Sequence, residues 1–123
     1  MREQYITDTR AAWAPETGGP GEPVTITPNG GDAYTIAVAL VSRKGMTVPA
    51  DLPREYAGRA GSWVVVRVLM DDLPTVDGLP DIPSTESTIM VDGRKHYLRC
   101  IQPHGPHGCA LRLFAVGDQF GRR

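Results

Sequence analysis

The sequence predicts a small, mostly β domain: an antiparallel β-barrel or sandwich of about six to seven strands, with long loops and at most one short helix. Prolines and glycines, 11 and 14 of the 123 residues, interrupt the chain too often for long helices. Alternating or β-branched apolar segments lie between these turn signals. With 41% hydrophobic residues, the chain has material for one domain with one modest core.

The first two strands are predicted to form a hairpin. Residues 23–27 (PVTIT) alternate in polarity, and the turn signal NGGD at 29–32 follows them. The longer strand 33–42 (AYTIAVALVS) then returns. Its alternation predicts one shared face for Tyr34, Ile36, Val38 and Leu40.

Two long loops flank the most apolar predicted strand, residues 61–70 (GSWVVVRVLM). The loop before it covers residues 43–60, and residues 51–59 within that loop suit a single helical turn. The loop after it, residues 71–85, holds three prolines and four aspartates. We expect this second loop to be exposed and to contain no ladder strand, because proline cannot donate a ladder hydrogen bond.

The last third of the chain reads as paired strands and therefore as scaffold. Residues 86–91 lead into the two-residue hairpin turn Asp92-Gly93, and residues 94–102 return. A Gly-rich turn at 104–108 precedes a closing strand at 109–116. No helical pattern separates these strands, which favours antiparallel pairing.

The chain divides into a flexible arm at residues 1–22, a barrel domain at 23–117 and a basic tail at 118–123. Residues 4–14 suit one or two helical turns, with Tyr5, Ile6 and Trp13 as apolar positions. We expect the arm to be flexible in isolation, because it buries too little surface to offset its ordering entropy.

Charge and hydropathy argue against several classes of protein. The net charge of −1 and the pI near 6.3 lack the basic excess of a typical nucleic-acid binder. No apolar run approaches the ~20 residues that span a bilayer. The polar start MREQYITDTR lacks the apolar stretch of a signal peptide. We therefore expect no membrane association, a cytoplasmic location in the producing cell and two cysteine thiols.

A metal site is the sharpest local alternative. Cys100, His104, His107 and Cys109 are four zinc-ligand types around one turn. Their spacing, C-x3-H-x2-H-x-C, matches no established structural zinc pattern, and the simpler interpretation is a turn with two incidental imidazoles. A disulfide across this hairpin is a further possibility that a reducing compartment disfavours. We expect no cofactor.

No catalytic constellation is evident, and we expect a protein that is not an enzyme. Ser62 lies in Gly-Ser-Trp, which lacks the G-x-S-x-G elbow of hydrolases. Binding of single-stranded nucleic acid is a weak alternative, with Tyr97 and Phe114 as the available stacking aromatics. The basic residues that would support it are concentrated near the C-terminus: Arg94, Lys95, Arg99, Arg112, Arg122 and Arg123.

Residues 86–116 (ESTIMVDGRKHYLRCIQPHGPHGCALRLFAV) resemble the head–tail joining, or head completion, proteins of long-tailed phages. That family shows an apolar strand, an Asp/Gly turn, a strand of the form G-x-x-Y-x-V, a polar Gly-bearing turn and a Leu-rich last strand. The corresponding positions here, with three residues between the glycine and the tyrosine, are Ile89, Val91, Gly93, Tyr97, Leu98, Ile101, Gly108, Leu111 and Leu113. The upstream order of arm, two strands, long loop, apolar strand and acidic loop is also similar.

The resemblance implies a virion structural protein, a connector or stopper without catalysis that joins the DNA-filled head to the tail. It implies a homo-oligomeric ring, as a hexamer, at the neck of the virion after assembly in the host cytoplasm. Its partners would be portal or adaptor proteins on the head side and a tail terminator or tail-tube protein on the other. DNA would pass through the ring without sequence-specific binding.

Two alternatives stay open. One is a tail terminator or another neck or baseplate β-barrel of the same virion. The other, from a different class, is a small β-barrel module that binds metal or single-stranded DNA. Under the connector hypothesis, large apolar residues on loops and the arm, together with charged loop and tail residues, are the interface candidates: Tyr5, Trp13, Met46, Tyr56, Asp71, Asp72, Asp77, Asp81, Arg122 and Arg123.

Overall fold

The computed structural model describes residues 2–14, 18–50, 52, 61–105 and 108–117, and the side chains of residues 2 and 3 are not considered. Within these residues one helix, α1, precedes eight strands. One turn of 3₁₀ helix, Met70–Asp72, follows the third strand. The bounds are α1 (Arg2–Trp13), β1 (Glu22–Thr27), β2 (Tyr34–Gly45), β3 (Ser62–Leu69), β4 (Thr75–Val76), β5 (Leu79–Pro80), β6 (Thr88–Val91), β7 (Arg94–His104) and β8 (Ala110–Gly117).

Six strands form a closed antiparallel barrel in the order β1-β2-β3-β8-β7-β6. The barrel closes through β1 and β6, where Thr25 pairs with Met90 and Ile26 with Ile89. The longest register joins β3 to β8, from Ser62 opposite Gly117 to Leu69 opposite Ala110. The predicted fold class is confirmed, and of the two architectures considered the chain adopts the barrel.

The barrel interior is filled by alternate residues of each strand. Val64, Val66 and Val68 of β3 are 4% exposed or less. Their register partners on the neighbouring strand β8, Ala115, Leu113 and Leu111, belong to the same interior cluster. This alternation follows from the pleat, which points successive side chains to opposite faces of a strand.

The outer face of β3 and β8 is also apolar, and two covers bury it. Near the β2–β3 connection, Trp63, Val65 and Phe114 form an outer cluster with Val116, Cys100 and Leu52. At the opposite end, Ile6 of α1 packs on Leu69, Cys109 and Ala110. Two-sided burial explains why β3 reads as a nearly continuous apolar run.

Helix α1 has three turns, more than the one or two turns that the sequence suggests for this segment. Its end is fixed by backbone hydrogen bonds, from Gly19 N–H to the Ala14 carbonyl (2.9 Å) and from Gly21 N–H to the Trp13 carbonyl (2.7 Å). A Cβ at Gly21 would overlap the Trp13 carbonyl and the Val38 side chain. The helix lies on the barrel in this structure, and the flexibility of the arm in isolation stays a prediction.

The predicted common face of β2 is wrong. Tyr34 and Ile36 contribute to the interior, but beyond them the buried position is Ala39, whereas Leu40 is only half-buried. A β-bulge shifts the register, since Ile36 pairs with Val24 but Ala39 pairs with Glu22. One extra residue in β2 reverses the alternation, which a strict period of two does not anticipate.

The prediction of no ladder strand in 71–85 is also wrong. The two-residue strands β4 and β5 pair there, with Thr75 opposite Pro80 and Val76 opposite Leu79. Pro80 is tolerated because a two-stranded ribbon leaves each strand one unpaired edge. Strand β2 also continues to Gly45, so residues 43–45 are strand and not loop. The suggested helical turn at 51–59 falls almost entirely outside the described residues.

Arg43 of β2 forms ion pairs with Glu22 of β1 and Asp92 of the β6–β7 turn. Its Nη1 and Nη2 donate to Glu22 at 3.0 and 2.7 Å, and Nε and Nη2 donate to Asp92, each at 2.8 Å. These bonds raise the pKa of the Arg43 guanidinium, and the Arg43 hydrogen bond lowers the pKa of Asp92 below 3.8. Because the three side chains are between 35% and 56% exposed, solvent screening keeps the stabilisation small.

Candidate interaction surfaces

The β4–β5 hairpin (residues 75–80) projects from one end of the barrel. Its turn residues, Asp77 and Gly78, have φ values of +55° and +80°, as a tight two-residue hairpin turn with positive φ at both positions requires. At its base, Asp81 N–H donates to the Pro74 carbonyl at 2.7 Å. The buried side chain of Leu73 anchors the preceding segment in the barrel interior.

This hairpin and the two residues that follow it expose three large apolar side chains. Val76 is 57% exposed, Leu79 is 68% exposed and Ile82 is 49% exposed. Single exposed apolar residues are common, but three within seven positions form a patch of the kind that marks a protein interaction site. We call residues 75–82 the apolar hairpin. The sequence pattern indicated its aspartates but not these apolar residues, although the Asp77-Gly78 turn signal was present.

A cleft of about 570 Å³ lies between the base of the apolar hairpin and the β1–β2 turn. Tyr34, Asp81 and Pro83 contribute to its lining. The Tyr34 hydroxyl is buried there, and none of the residues that the structure describes forms a hydrogen bond with it. Burial raises the pKa of this hydroxyl, and the negative charge of Asp81 raises it further. The cleft therefore presents an unsatisfied phenol beside a carboxylate, which an incoming polar group would satisfy.

The four predicted acidic interface residues occupy different environments. Asp72 Oδ1 accepts a hydrogen bond from Arg10 Nη2 at 2.6 Å, so this charge is paired with α1. Asp77 lies in the hairpin turn, and Asp81 lies beside Tyr34. Asp71 is exposed in the 3₁₀ turn. Only Asp77 and Asp81 therefore lie in the segment of residues 75–82, and a role in an interface stays a prediction for all four aspartates.

The aromatic anchors proposed for the arm have contacts within the chain. Tyr5 and Trp13 are half-buried and pack on the cluster formed by Ile6, Leu69, Cys109 and Ala110. Met46 is 57% exposed just after β2. Tyr56, Arg122 and Arg123 lie outside the described residues, as does the whole tail 118–123. A role in subunit contacts stays a prediction for all of these residues.

The two cysteines lie in different packing clusters. Cys100 is in the outer cluster with Trp63 and Phe114, whereas Cys109 packs under α1. Both are reduced and buried. The register pairs Cys100 with Phe114 and His104 with Ala110, so the two cysteines are not opposite each other. The disulfide considered across this hairpin is therefore excluded by the strand register.

The remaining metal-ligand candidates are the two histidines of the turn, His104 and His107. His104 ends β7, and His107 lies outside the described residues. Among the residues that the structure describes, no group of three His, Cys, Asp or Glu side chains is close enough to hold a metal ion.

A basic groove crosses the outer face of the barrel beside the outer cluster. Arg67 and Arg112 are register partners on β3 and β8, and Lys44 of β2 lines the same cavity, which has a volume of about 150 Å³. Val65 and Phe114 also line it. The Arg112 guanidinium lies 5.5 Å from the centroid of the Phe114 ring. We call this feature the basic groove. No local sequence pattern predicts it, because its basic residues lie on three different strands.

Neither Phe114 nor Tyr97, the two candidate aromatics, has an exposed ring on which a nucleic-acid base could stack. Phe114 is 1% exposed, because it fills the outer cluster. Tyr97 is half-buried on β7. A stacking platform needs an accessible ring face. The basic groove therefore supplies charge without the expected aromatic platform.

His96 is a buried imidazole inside one end of the barrel. It is 5% exposed, and its Nδ1 lies 3.0 Å from the Arg94 carbonyl oxygen. Burial lowers the pKa of His96 below 6.5, and the nearby Arg94 charge acts in the same direction, whereas Asp92 and the backbone hydrogen bonds oppose it. The folded state therefore favours the neutral imidazole.

We expect the stability of the protein to decline as the pH falls below 6.5 because of His96. The unfolded chain takes up a proton at 6.5, whereas the folded chain takes it up only at its lower pKa. Urea unfolding at pH 7.5, 6.5 and 5.5 should show a steeper decline for the wild type than for His96→Gln. Parallel stability curves for the two proteins would contradict this prediction.

In the part of the chain described, no helix is both long and apolar enough to cross a membrane. Comparison of the chain with models of protein families, with curated proteins and with solved structures finds no match.

Proposed function

We propose that this chain is a structural subunit of a phage virion, a connector or stopper that joins the DNA-filled head to the tail by assembling as a ring. The observation that carries this proposal is the apolar hairpin. A closed barrel holds three exposed apolar side chains, Val76, Leu79 and Ile82, away from its own core. Such a surface suits docking to another protein, because the side chains are exposed in the described part of the subunit.

The barrel supports a docking role in a second way. In a closed barrel the strands have no unpaired edges, so the scaffold does not recruit other strands by edge pairing. Contacts with neighbours then depend on the loops and on the outer face. The resemblance of residues 86–116 to head–tail joining proteins concerns the scaffold, and the apolar hairpin supplies the contact surface that such a role needs.

The proposed partners are other copies of the chain, a portal or adaptor protein on the head side and a tail terminator or tail-tube protein on the tail side. The chain would have no catalytic role, and DNA would pass the assembled ring without sequence-specific contacts. The same surfaces would serve a tail terminator or another neck or baseplate barrel of the same virion.

Deletion of the gene from a phage that encodes this chain tests the proposal. The expected result is accumulation of DNA-filled heads and separate tails, visible by electron microscopy, with infectious particles restored by a plasmid copy of the gene. A tail-terminator role would instead give tails of irregular length. Assembly of intact, infectious virions without the gene would show that the proposal is wrong.

A matched pair of plasmid copies connects the test to the apolar hairpin. The double variant Val76→Ser/Leu79→Ser removes two exposed apolar side chains of the hairpin, whereas Met90→Ser removes one from β6, where Met90 is 42% exposed. We expect Met90→Ser to restore infectivity and the hairpin variant to fail. Equal rescue by both copies would remove the hairpin from the proposed function.

A further inference from the structure

The cleft between the β1–β2 turn and the base of the apolar hairpin carries negative charge. Asp32 and Asp81 line it and are exposed, and the described residues that line it include no lysine, arginine or histidine. The ion pairs that join described residues include neither of these aspartates. We call this feature the acidic cleft. A cation that entered it would meet a negative potential.

The acidic cleft also offers apolar contact and an unsatisfied hydroxyl. Ile82, which lines it, is 49% exposed. The Tyr34 hydroxyl forms no hydrogen bond with a described residue, and burial, followed by the charge of Asp81, raises the pKa of this group. The volume of about 570 Å³ lies in the usual range for binding sites. The matching ligand therefore combines an apolar group with a cation that has several N–H donors.

Residues 118–123 (DQFGRR) carry this combination, and they lie outside the described residues. Phe120 and Arg122 are two positions apart, so in an extended segment their side chains point to the same side, about 7 Å apart. A guanidinium has five N–H donors and is always charged, so it can bond to a carboxylate and a hydroxyl together. The segment therefore complements the acidic cleft in both charge and apolar character.

The end of β8 lies far around the barrel from the acidic cleft. Tyr34 in the cleft pairs with Ile26, and Ile26 pairs with Ile89. Ile89 pairs with His96, and a Cβ on Gly117 would lie 3.1 Å from the His96 ring. The strand boundaries β2–β1, β1–β6, β6–β7 and β7–β8 therefore separate the cleft from Gly117. At ~4.8 Å per strand spacing, the path along the barrel is about 19 Å.

The segment that follows Gly117 is too short to cross this distance and enter the cleft of its own subunit. Five residues lead from Gly117 to Arg122, and a fully extended chain spans at most about 18 Å over that length. A path over the outer side chains of β7, β6 and β1 is longer than the path along the backbone. The matching occupant is therefore the segment of a second copy.

We propose that residues 118–123 of one subunit dock in the acidic cleft of the next, with Arg122 bonded to Asp81 and Phe120 packed on Ile82. The contact joins two different surfaces, so it is head-to-tail and generates a ring or an open chain of subunits. This inference rests on the proposed function and deepens it, because it names the contact through which the subunits would assemble.

Charge reversal on each side tests the contact. Asp81→Lys changes the cleft, and Arg122→Glu changes the segment. Each single variant is expected to weaken self-association by about tenfold or more in sedimentation velocity over a range of concentrations. The double variant Asp81→Lys/Arg122→Glu is expected to recover most of the association, because the two charges attract again with their signs exchanged.

Matched controls separate the contact from general effects of charge. Asp8→Lys reverses an exposed charge of α1, and Lys95→Glu reverses an exposed charge of β7. Both are expected to self-associate as the wild type does. Thermal unfolding of every variant establishes that each is folded. Added NaCl is expected to weaken the wild-type contact, because it screens the charges.

A labelled peptide with the sequence of residues 118–123 tests the acidic cleft directly. The receptor is the full chain with Arg122→Glu, whose own segment does not compete. Fluorescence anisotropy is expected to show saturable binding, weakened about tenfold or more when Asp81→Lys is added to the receptor. Adding Asp8→Lys instead is expected to leave the affinity unchanged.

Several results would overturn the inference. Self-association of the Arg122→Glu variant at the wild-type level would exclude the segment from the contact, and a peptide that does not bind would exclude the cleft. A wild type that stays monomeric, with a receptor that binds the peptide, would assign the segment to the cleft of its own subunit. Any of these results together with loss of virions on gene deletion would reject the contact and keep the proposed function. Charge-dependent association together with intact virions after gene deletion would keep the contact and reject the proposed function.

Discussion

Replacing Phe114 with alanine is expected to lower the free energy of unfolding by about 3–5 kcal/mol. Phe114 is 1% exposed although it is on the outside of the barrel. It is buried because Trp63, Val65 and Leu52 surround it in the outer cluster. Truncation removes the ring and leaves a cavity in a cluster that rigid strands hold on one side, so the site collapses only partly. Urea or guanidinium unfolding measures the change.

Two further substitutions complete the Phe114 experiment. Phe114→Leu keeps most of the volume, so we expect it to cost less than about 1.5 kcal/mol. Met90→Ala changes an exposed position and should alter stability by about 0.5 kcal/mol or less. If Phe114→Ala costs no more than Met90→Ala, the outer cluster is not a second core, and the role of Leu52 in covering it is wrong.

Replacing Gly61 with alanine is expected to destabilise the protein by at least about 2 kcal/mol, for two separate reasons. Its φ of +152° is a conformation that side chains rarely adopt. A Cβ at this position would also overlap the Gly117 carbonyl oxygen and a methyl group of Val116. Gly61 immediately precedes β3, where that strand pairs with the end of β8, so relief of the overlap must separate the two strands.

Gly30→Ala is the matched control for the Gly61 substitution. Gly30 also has a positive φ, +77°, but a Cβ there meets no atom within 4 Å. We expect Gly30→Ala to cost only about 1 kcal/mol, which reflects the backbone conformation alone. The difference between the two variants measures the steric part. Equal costs for both would show that β3 and β8 do not approach as closely at Gly61 as the structure indicates.

The sequence was sufficient to predict the barrel strands and their turns. Asp92 and Gly93 have φ values of +57° and +73°, which is the hairpin geometry that this dipeptide favours. Such turns depend on local backbone sterics, so they can be predicted without knowledge of the tertiary structure. The same Asp-Gly signal at residues 77–78 was outweighed by the neighbouring prolines, and the β4–β5 hairpin was missed for that reason.

The candidate surfaces were less predictable than the strands. The acidic residues around the hairpin were identified from composition, but the exposure of Val76 and Leu79 depends on how far the hairpin projects from the barrel. The basic groove was invisible because its cations, Lys44, Arg67 and Arg112, lie far apart in sequence. Register alone brings Arg67 and Arg112 together, and register depends on how all the strands pack.

By itself, the sequence determined the approximate positions of the six barrel strands, the tight turn at Asp92-Gly93 and the strongly apolar character of β3. Only the tertiary structure decided that the sheet closes, with Thr25 beside Met90, and that α1 covers one end of the outer face. The alternation of apolar and polar residues along a strand indicates which face of the strand each side chain occupies. The choice of neighbouring strand and of cover depends on long-range packing, which is a property of the whole folded chain.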